Sequence, residues 1–257
     1  MPSRLRTTLL AAGAAVYYLK ARRERGRVER LAAAALESLL NAIDANDQTT
    51  GEHARRVAAV SLILADAHGL DDRDRSSVER VALFHDVGKI HEALFDITHD
   101  HHLLSADERA QVATHPQRGA DVVAPLSLFY PDLGAGVLAH HERWDGTGYP
   151  RGLRGLEIPL TARIVALADT FDAITCQRRY DAARSAPDAV EVIAAERGRQ
   201  FDPELTDLFL SEAVQARVHE AMHTWHCSPA PHTSKRKRES TPGDVPDVAF
   251  RWRTAGV

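Results

Sequence analysis

From Arg27 onward the apolar positions Val28, Leu31, Ala35, Leu39 and Ile43 recur at helical spacing, so one face of this segment is built for burial. Asn46-Asp47 ends the run. A second helix follows, with Thr50 as the expected N-cap, Val57, Val60, Ile63 and Leu64 on its apolar face, and Gly69 closing it. Asp71-Asp72 opens a third, whose Val78, Val81 and Phe84 face the core and which stops at His85-Asp86-Val87-Gly88-Lys89. Further helical stretches are predicted around 106–124, 132–143, 160–177, 186–197 and 203–221. No stretch alternates as strands joined by hairpin turns do. The expected fold is all-α.

The two ends differ from this middle. Arg4 and Arg6 precede an apolar run from Leu9 to Leu19, and Lys20, Arg22, Arg23, Arg25 and Arg27 follow it. That run is shorter than the ~20 residues that span a bilayer, and no small-residue cleavage site follows it. It reads either as a basic membrane-surface helix with Tyr17 and Tyr18 at the interface, or as a lead-in helix that docks on a partner chain or a second copy. After Cys227 the run Ser228-Pro229-Ala230-Pro231 and the basic cluster Lys235-Arg236-Lys237-Arg238 read as a disordered tail. The expected division is a basic and apolar helical segment over 1–40, a folded domain over 41–221, and a tail over 222–257.

Composition narrows the function. Of 257 residues, 44% are hydrophobic and 26% charged, ordinary for a globular domain, and the net charge of −4 gives no footprint for a nucleic-acid polymer. A small anionic ligand remains compatible, because metal ions or a few basic groups hold phosphate within a mildly acidic protein. Cys176 and Cys227 are far apart and in no CxxC word, which argues against a disulfide framework or a thiolate site and fits a reducing, cytoplasmic compartment. Histidine, with 14 residues, is in excess.

The histidines fall in suggestive places. His85-Asp86 lies at a helix end with Lys89 just beyond. His140-His141 are consecutive imidazoles, costly to bury without ligands or partners, and Glu142 to Pro150 behind them form a glycine-rich aromatic loop. Asp169 and Asp172 share one face of an otherwise apolar helix at i, i+3 spacing. His53 and His115, each taken singly, read as ordinary satisfied histidines.

Taken together, these residues resemble the HD-GYP family in identity and order. The resemblance runs through the words around His53, Phe84 to Ile90, His115 to Ala120, and His140 to Gly152 with its Gly148-Tyr149-Pro150. It continues in Ile158 to Val165 and Gln200 to Leu205, and covers roughly residues 41–211. It implies an HD-type helical bundle with a metal site between helices, extended by the GYP loop and C-terminal helices. The implied metal ligands are His53, His85, Asp86, His115, His140, His141 and Asp169, with Asp86 bridging. Lys89 would meet a phosphate oxygen, Tyr149 would line the cleft, Arg178 would hold a substrate phosphate, and Asp172 would support the ligands or face the substrate. Two divalent ions are implied, with iron or manganese best suited to imidazole and carboxylate and zinc also compatible. The implied reaction opens cyclic-di-GMP to linear pGpG or GMP by a metal-activated hydroxide, in the cytoplasm or at the inner face of the membrane. The alternatives are an HD-type phosphohydrolase acting on another nucleotide or cyclic dinucleotide, and a non-catalytic module that binds a cyclic dinucleotide.

Three departures from the family pattern set further expectations. Thr49 stands where some members carry a glutamate that supports a third metal, so two ions are expected. Residues 91–102 lack the two usual prolines and include His99, His101 and His102, which reshapes the cleft entrance. Asp181 stands where a basic residue is common, removing one phosphate contact.

Overall fold

A computed structural model describes residues 23, 26–45, 48–90, 105–176 and 185–224. Its helices are α1 over 26–45, α2 Gln48–His68, α3 Asp72–Phe84, α4 Ala106–Val112, α5 His115–Val123, α6 Pro131–Ala139, α7 Leu160–Thr175, α8 Ala186–Ala195, α9 Pro203–Phe209 and α10 Glu212–Thr224. A 3-10 turn, Val87–Ile90, follows α3. The one β pairing among the described residues is an isolated bridge between Arg197 and Phe201. The chain is all-α, as its periodicity requires.

α2, α3 and α7 pack against one another and form the centre of the bundle. Val57, Val60 and Leu64 from α2 meet Val78, Val81 and Phe84 from α3 and Ile164, Leu167 and Phe171 from α7, all buried. Each such side chain contributes about 1.5–3 kcal/mol relative to exposure. α9 adds Leu205 and Phe209, the latter edge-on to Phe171 with ring centroids 5.4 Å apart. α10 closes over α2 through Val214 and Val218. Asp66 on α2 joins this layer by accepting from Arg75 of α3 at 2.7 Å and Arg217 of α10 at 2.8 Å.

Several element boundaries differ from expectation. α2 begins at Gln48, so Thr50 lies inside its first turn and is not the cap. Asp71 does cap α3, accepting from the Asp74 amide at 2.9 Å, and Gly69 ends α2 at φ 83°. The stretch 106–124 is two helices: Pro116 has no amide hydrogen for the Val112 carbonyl, so α4 cannot run through it. The stretch 203–221 breaks at Leu210-Ser211, where Ser211 Oγ donates back to the Leu208 carbonyl at 2.7 Å. α6 ends at Ala139, which leaves His140 and His141 beyond its last turn. α1 runs unbroken through residues 40 and 41, with Leu36 and Ala32 as buried as Ile43, so no helix break marks the boundary placed there. Cys176 is disulfide-bonded, contrary to the expectation against disulfides drawn from the cysteine spacing; Cys227 lies outside the described residues.

Also outside them lie the apolar run 9–19, the segment 91–102, Arg178, Asp181 and the basic cluster 235–238, and with them the membrane-surface, partner-docking and tail expectations. Among the described residues no helix is long and apolar enough to cross a membrane.

Candidate metal centre

His85 and His140 stand just past the last turn of a helix and His115 opens α5 three residues after α4 ends, each within reach of a backbone carbonyl that lacks a helical partner. His85 follows α3 and its Nδ1 donates to the Ala82 carbonyl at 2.8 Å. His140 follows α6 and donates to Val137 at 2.6 Å. His115 donates to Val112 at 2.7 Å, the carbonyl that Pro116 leaves free. A carbonyl only accepts, so each Nδ1 carries the hydrogen and each neutral ring presents an Nε2 lone pair. These lone pairs converge: His115 Nε2 and His140 Nε2 are 3.1 Å apart, and His85 Nε2 is buried without a hydrogen-bond partner. Lone pairs aimed at one space call for a cation between them.

His53, on α2, is held the same way by a carboxylate. Its Nδ1 lies 2.7 Å from Asp172 Oδ2, and Arg56 grips the same carboxylate through Nε at 2.6 Å and a terminal nitrogen at 3.0 Å. Asp172 is 1% exposed with both oxygens engaged, so of the two places expected for it, behind the ligands or facing a substrate, its contacts are those of the first. Asp169, one turn earlier on α7, turns its Oδ1 to within 3.3 Å of His53 Nε2 and 4.0 Å of His85 Nε2.

Asp86 sits at the centre. Its Oδ1 lies 3.2 Å from His115 Nε2 and 3.9 Å from His140 Nε2, while its Oδ2 lies 3.5 Å from His85 Nε2 and 3.8 Å from His53 Nε2. One carboxylate thus divides its oxygens between two sets of donors. Asp86, His115, His140 and His141 bring one donor atom each within 4.8 Å of one another, as do His53, His85 and Asp169. The all-nitrogen-and-oxygen donor set suits iron, manganese or zinc, and the split carboxylate suits a pair of them. All seven residues of the expected ligand set are therefore brought together.

Burial and charge keep these groups in metal-binding form. Burial pushes the Asp86 carboxyl up, but Lys89 at 2.7 Å from Oδ2, with His85 and His115, holds it well below the usual range. Burial lowers His85, takes His140 well below its ordinary value with help from neighbouring imidazoles, and brings His141 down to about 3. The stability of the metal-free protein follows. Each of these histidines binds its proton more weakly folded than unfolded, so the unfolded chain holds more protons below its pKa of about 6.5. Stability therefore falls as pH drops through that value, by up to about 1.4 kcal/mol per pH unit for each imidazole. Urea unfolding of chelator-treated protein at neutral and mildly acidic pH measures this; a midpoint that stays level or rises on acidification contradicts it.

The loop after His141 is a built structure. Glu142 is 3% exposed and accepts the amides of Arg151 at 2.7 Å and Leu153 at 3.0 Å, pinning the loop from inside. Arg143 reaches Gln200 at 2.9 Å and Glu196 at 2.8 Å, and the Trp144 amide donates to the Gln200 carbonyl at 3.1 Å. Gly148 passes so close that a Cβ there would lie 2.3 Å from the Arg143 nitrogen. Arg163, at the start of α7, pairs with the buried Asp202 that caps α9 and donates to the Ile158 carbonyl at 3.0 Å. This frame lays the Tyr149 ring on His141, stacked with centroids 4.9 Å apart. Burial, with Asp86 and Asp169 adding to it, raises the Tyr149 hydroxyl, so it stays a neutral phenol beside the centre.

Arg56 and Glu142 were not among the residues expected at the site. Arg56 lies one helical turn beyond His53, on the His53 side of α2, and that spacing was the available signal. Glu142 is a lone acid between His141 and Arg143, and only the structure shows that it is buried. Asp172→Asn keeps the shape but weakens the hold on both the His53 Nδ1 hydrogen and Arg56. The expected result is a 10–100-fold loss of metal affinity (about the range for such supporting partners), measured by chelator competition. Unchanged affinity would show that the carboxylate does not orient His53.

The helical frame and the clustered donors are those of an HD-type protein. The chain belongs to the HD-domain family, whose model matches residues 37–205. It is 35% identical over 175 residues to 3'3'-cGAMP-specific phosphodiesterase 2 of Vibrio cholerae, covering 67% of this chain and 33% of that protein. It is 37% identical over 182 residues to the cyclic di-GMP phosphodiesterase response regulator RpfG of Xanthomonas campestris, covering 70% of this chain and 48% of that one. The chain thus spans about a third to a half of these relatives' length. A solved structure of a cyclic GMP-AMP specific phosphodiesterase of Vibrio cholerae, V-cGAP3, shares the fold with a TM-score of 0.54 at 22% identity, over 76% of this chain and 53% of that one.

Proposed function

We propose that this chain is a metal-dependent phosphodiesterase that hydrolyses a cyclic dinucleotide, with cyclic-di-GMP opened to linear pGpG or GMP as the leading substrate. The observation that carries this is Asp86, whose two oxygens face two separate sets of imidazole donors. Its ligands are His53, His85, Asp86 and Asp169 on one side and Asp86, His115, His140 and His141 on the other. When bound, a pair of divalent ions supplies an acidified water and stabilises charge at phosphorus.

The chain's own groups do the rest. Asp86 would hold both ions, offering one oxygen beside His115 and His140 and the other beside His85 and His53. Asp172 and Arg56 hold His53 in one tautomer and one orientation. Lys89, a quarter exposed and already 2.7 Å from Asp86, is placed to meet a phosphate oxygen at the edge of the centre. Tyr149, stacked on His141, offers an aromatic wall for a base or ribose.

A second reading keeps this chemistry and changes the base: relatives named for 3'3'-cGAMP and for cyclic-di-GMP match at similar identity. Turnover of both compounds, and of unrelated phosphoesters, by metal-loaded protein separates the readings. Consumption of a cyclic dinucleotide that His85→Ala abolishes supports the proposal. Turnover that survives His85→Ala, or that is confined to other phosphoesters, overturns it.

A further inference from the structure

α10 contributes nothing to the centre described above, yet it carries two histidines one turn apart. Val214 and Val218 are buried against the bundle, and Arg217 anchors the helix to Asp66 at 2.8 Å. This fixes the rotation of α10 and leaves His219 and His223, spaced i, i+4, together on its exposed face. Their Nε2 atoms lie 2.9 Å apart, one donating a hydrogen bond to the other that a bound cation would replace, with the rings edge to face and centroids 4.3 Å apart. Glu220 completes the word His219-Glu220-Ala221-Met222-His223. In metallohydrolases a helical word of this form holds zinc through both imidazoles.

We propose that His219 and His223 form a second, exchangeable transition-metal site on the surface, independent of the catalytic reading. With metal–nitrogen bonds of about 2.0–2.1 Å, nitrogens 2.9 Å apart subtend an angle of about 90° at an ion. That is a cis pair in a square-planar or octahedral field and narrower than a tetrahedral site requires. The pair therefore selects copper(II) or nickel(II), which favour tetragonal nitrogen ligation. Among the described residues no third donor groups with these two. An ion held by these two imidazoles alone keeps its remaining positions for water or small ligands, so such a site binds and exchanges metal, and the zinc-peptidase chemistry of its sequence word is not implied.

The test uses the full chain with its catalytic centre first filled with zinc, which is diamagnetic and holds a nitrogen and oxygen site more tightly than manganese. Titration with copper(II) and nickel(II) is followed by equilibrium dialysis, with copper(II) also followed by electron paramagnetic resonance. The expected result is one additional ion per chain, with a copper spectrum showing coupling to two imidazole nitrogens. His219→Ala and His223→Ala should each weaken that ion by more than about tenfold, the scale on which lost partners weaken metal sites. Both variants should leave turnover and thermal unfolding unchanged, since both side chains are exposed. Undiminished uptake in the double variant would overturn the proposal. So would uptake lost only in the control His101→Ala/His102→Ala.

Discussion

Replacing Asp86 by asparagine is expected to abolish turnover and to strip metal from the protein. The carboxylate places Oδ1 against His115 and His140 and Oδ2 against His85 and His53. An amide keeps one oxygen and turns an NH2 toward the other pair, where a metal ligand must be an acceptor. It also removes the charge that faces Lys89. The loss in kcat should be at least about 10³-fold, the scale of deleting one preorganised charge-stabilising group. Metal content per chain, read on the same sample, should fall with it. An Asp86→Asn protein that keeps its ions and its rate would contradict the bridging role.

Gly88→Ala should be nearly as damaging, although glycine carries no chemistry. A Cβ at this position would lie 2.1 Å from the His115 carbonyl oxygen and 2.6 Å from the Gly119 nitrogen. Both obstacles are backbone, so the turn that carries Asp86 and the helix that carries His115 must separate. Overpacking of this kind costs about 1–3 kcal/mol or more. The shift also moves His115 relative to Asp86, and misplacement by about 1 Å lowers rates on the order of 10²-fold. Urea unfolding and kcat measured together test both parts. Gly134→Ala is the matched control: nothing lies within 4 Å of its Cβ, so stability and rate should hold. Equal effects at the two glycines would refute the steric argument.

The residues that the structure clusters as candidate metal donors were legible in the sequence because metal chemistry restricts residue type so tightly. His140-His141 and His85-Asp86 stand out since buried imidazoles and carboxylates are expensive unless something binds them. The helical frame was legible for a related reason, because Val57, Val60 and Leu64, or Val78, Val81 and Phe84, repeat at the period of a buried face. What the sequence hid was long-range pairing. Asp172 joins His53 across 119 positions and Arg56 across 116, and nothing local to α7 shows that its second aspartate points backwards. The break of α4 at Pro116 was visible as a proline, but its consequence, a Val112 carbonyl left to orient His115 three residues on, is a local side-chain bond that periodicity does not announce. Helix ends were misplaced where periodicity does not decide them, as at Thr50, and at Ser211 a side chain bonds back to the preceding turn.

The proposed activity rests on a two-metal centre that opens a cyclic dinucleotide. Metal analysis of anaerobically purified protein, joined to product identification from cyclic-di-GMP and 3'3'-cGAMP on that sample, tests it most directly. The expected result is two ions per chain in the histidine-aspartate centre and a linear product that disappears when a chelator removes them. One ion per chain at full activity, or hydrolysis that persists after complete metal removal, would contradict it.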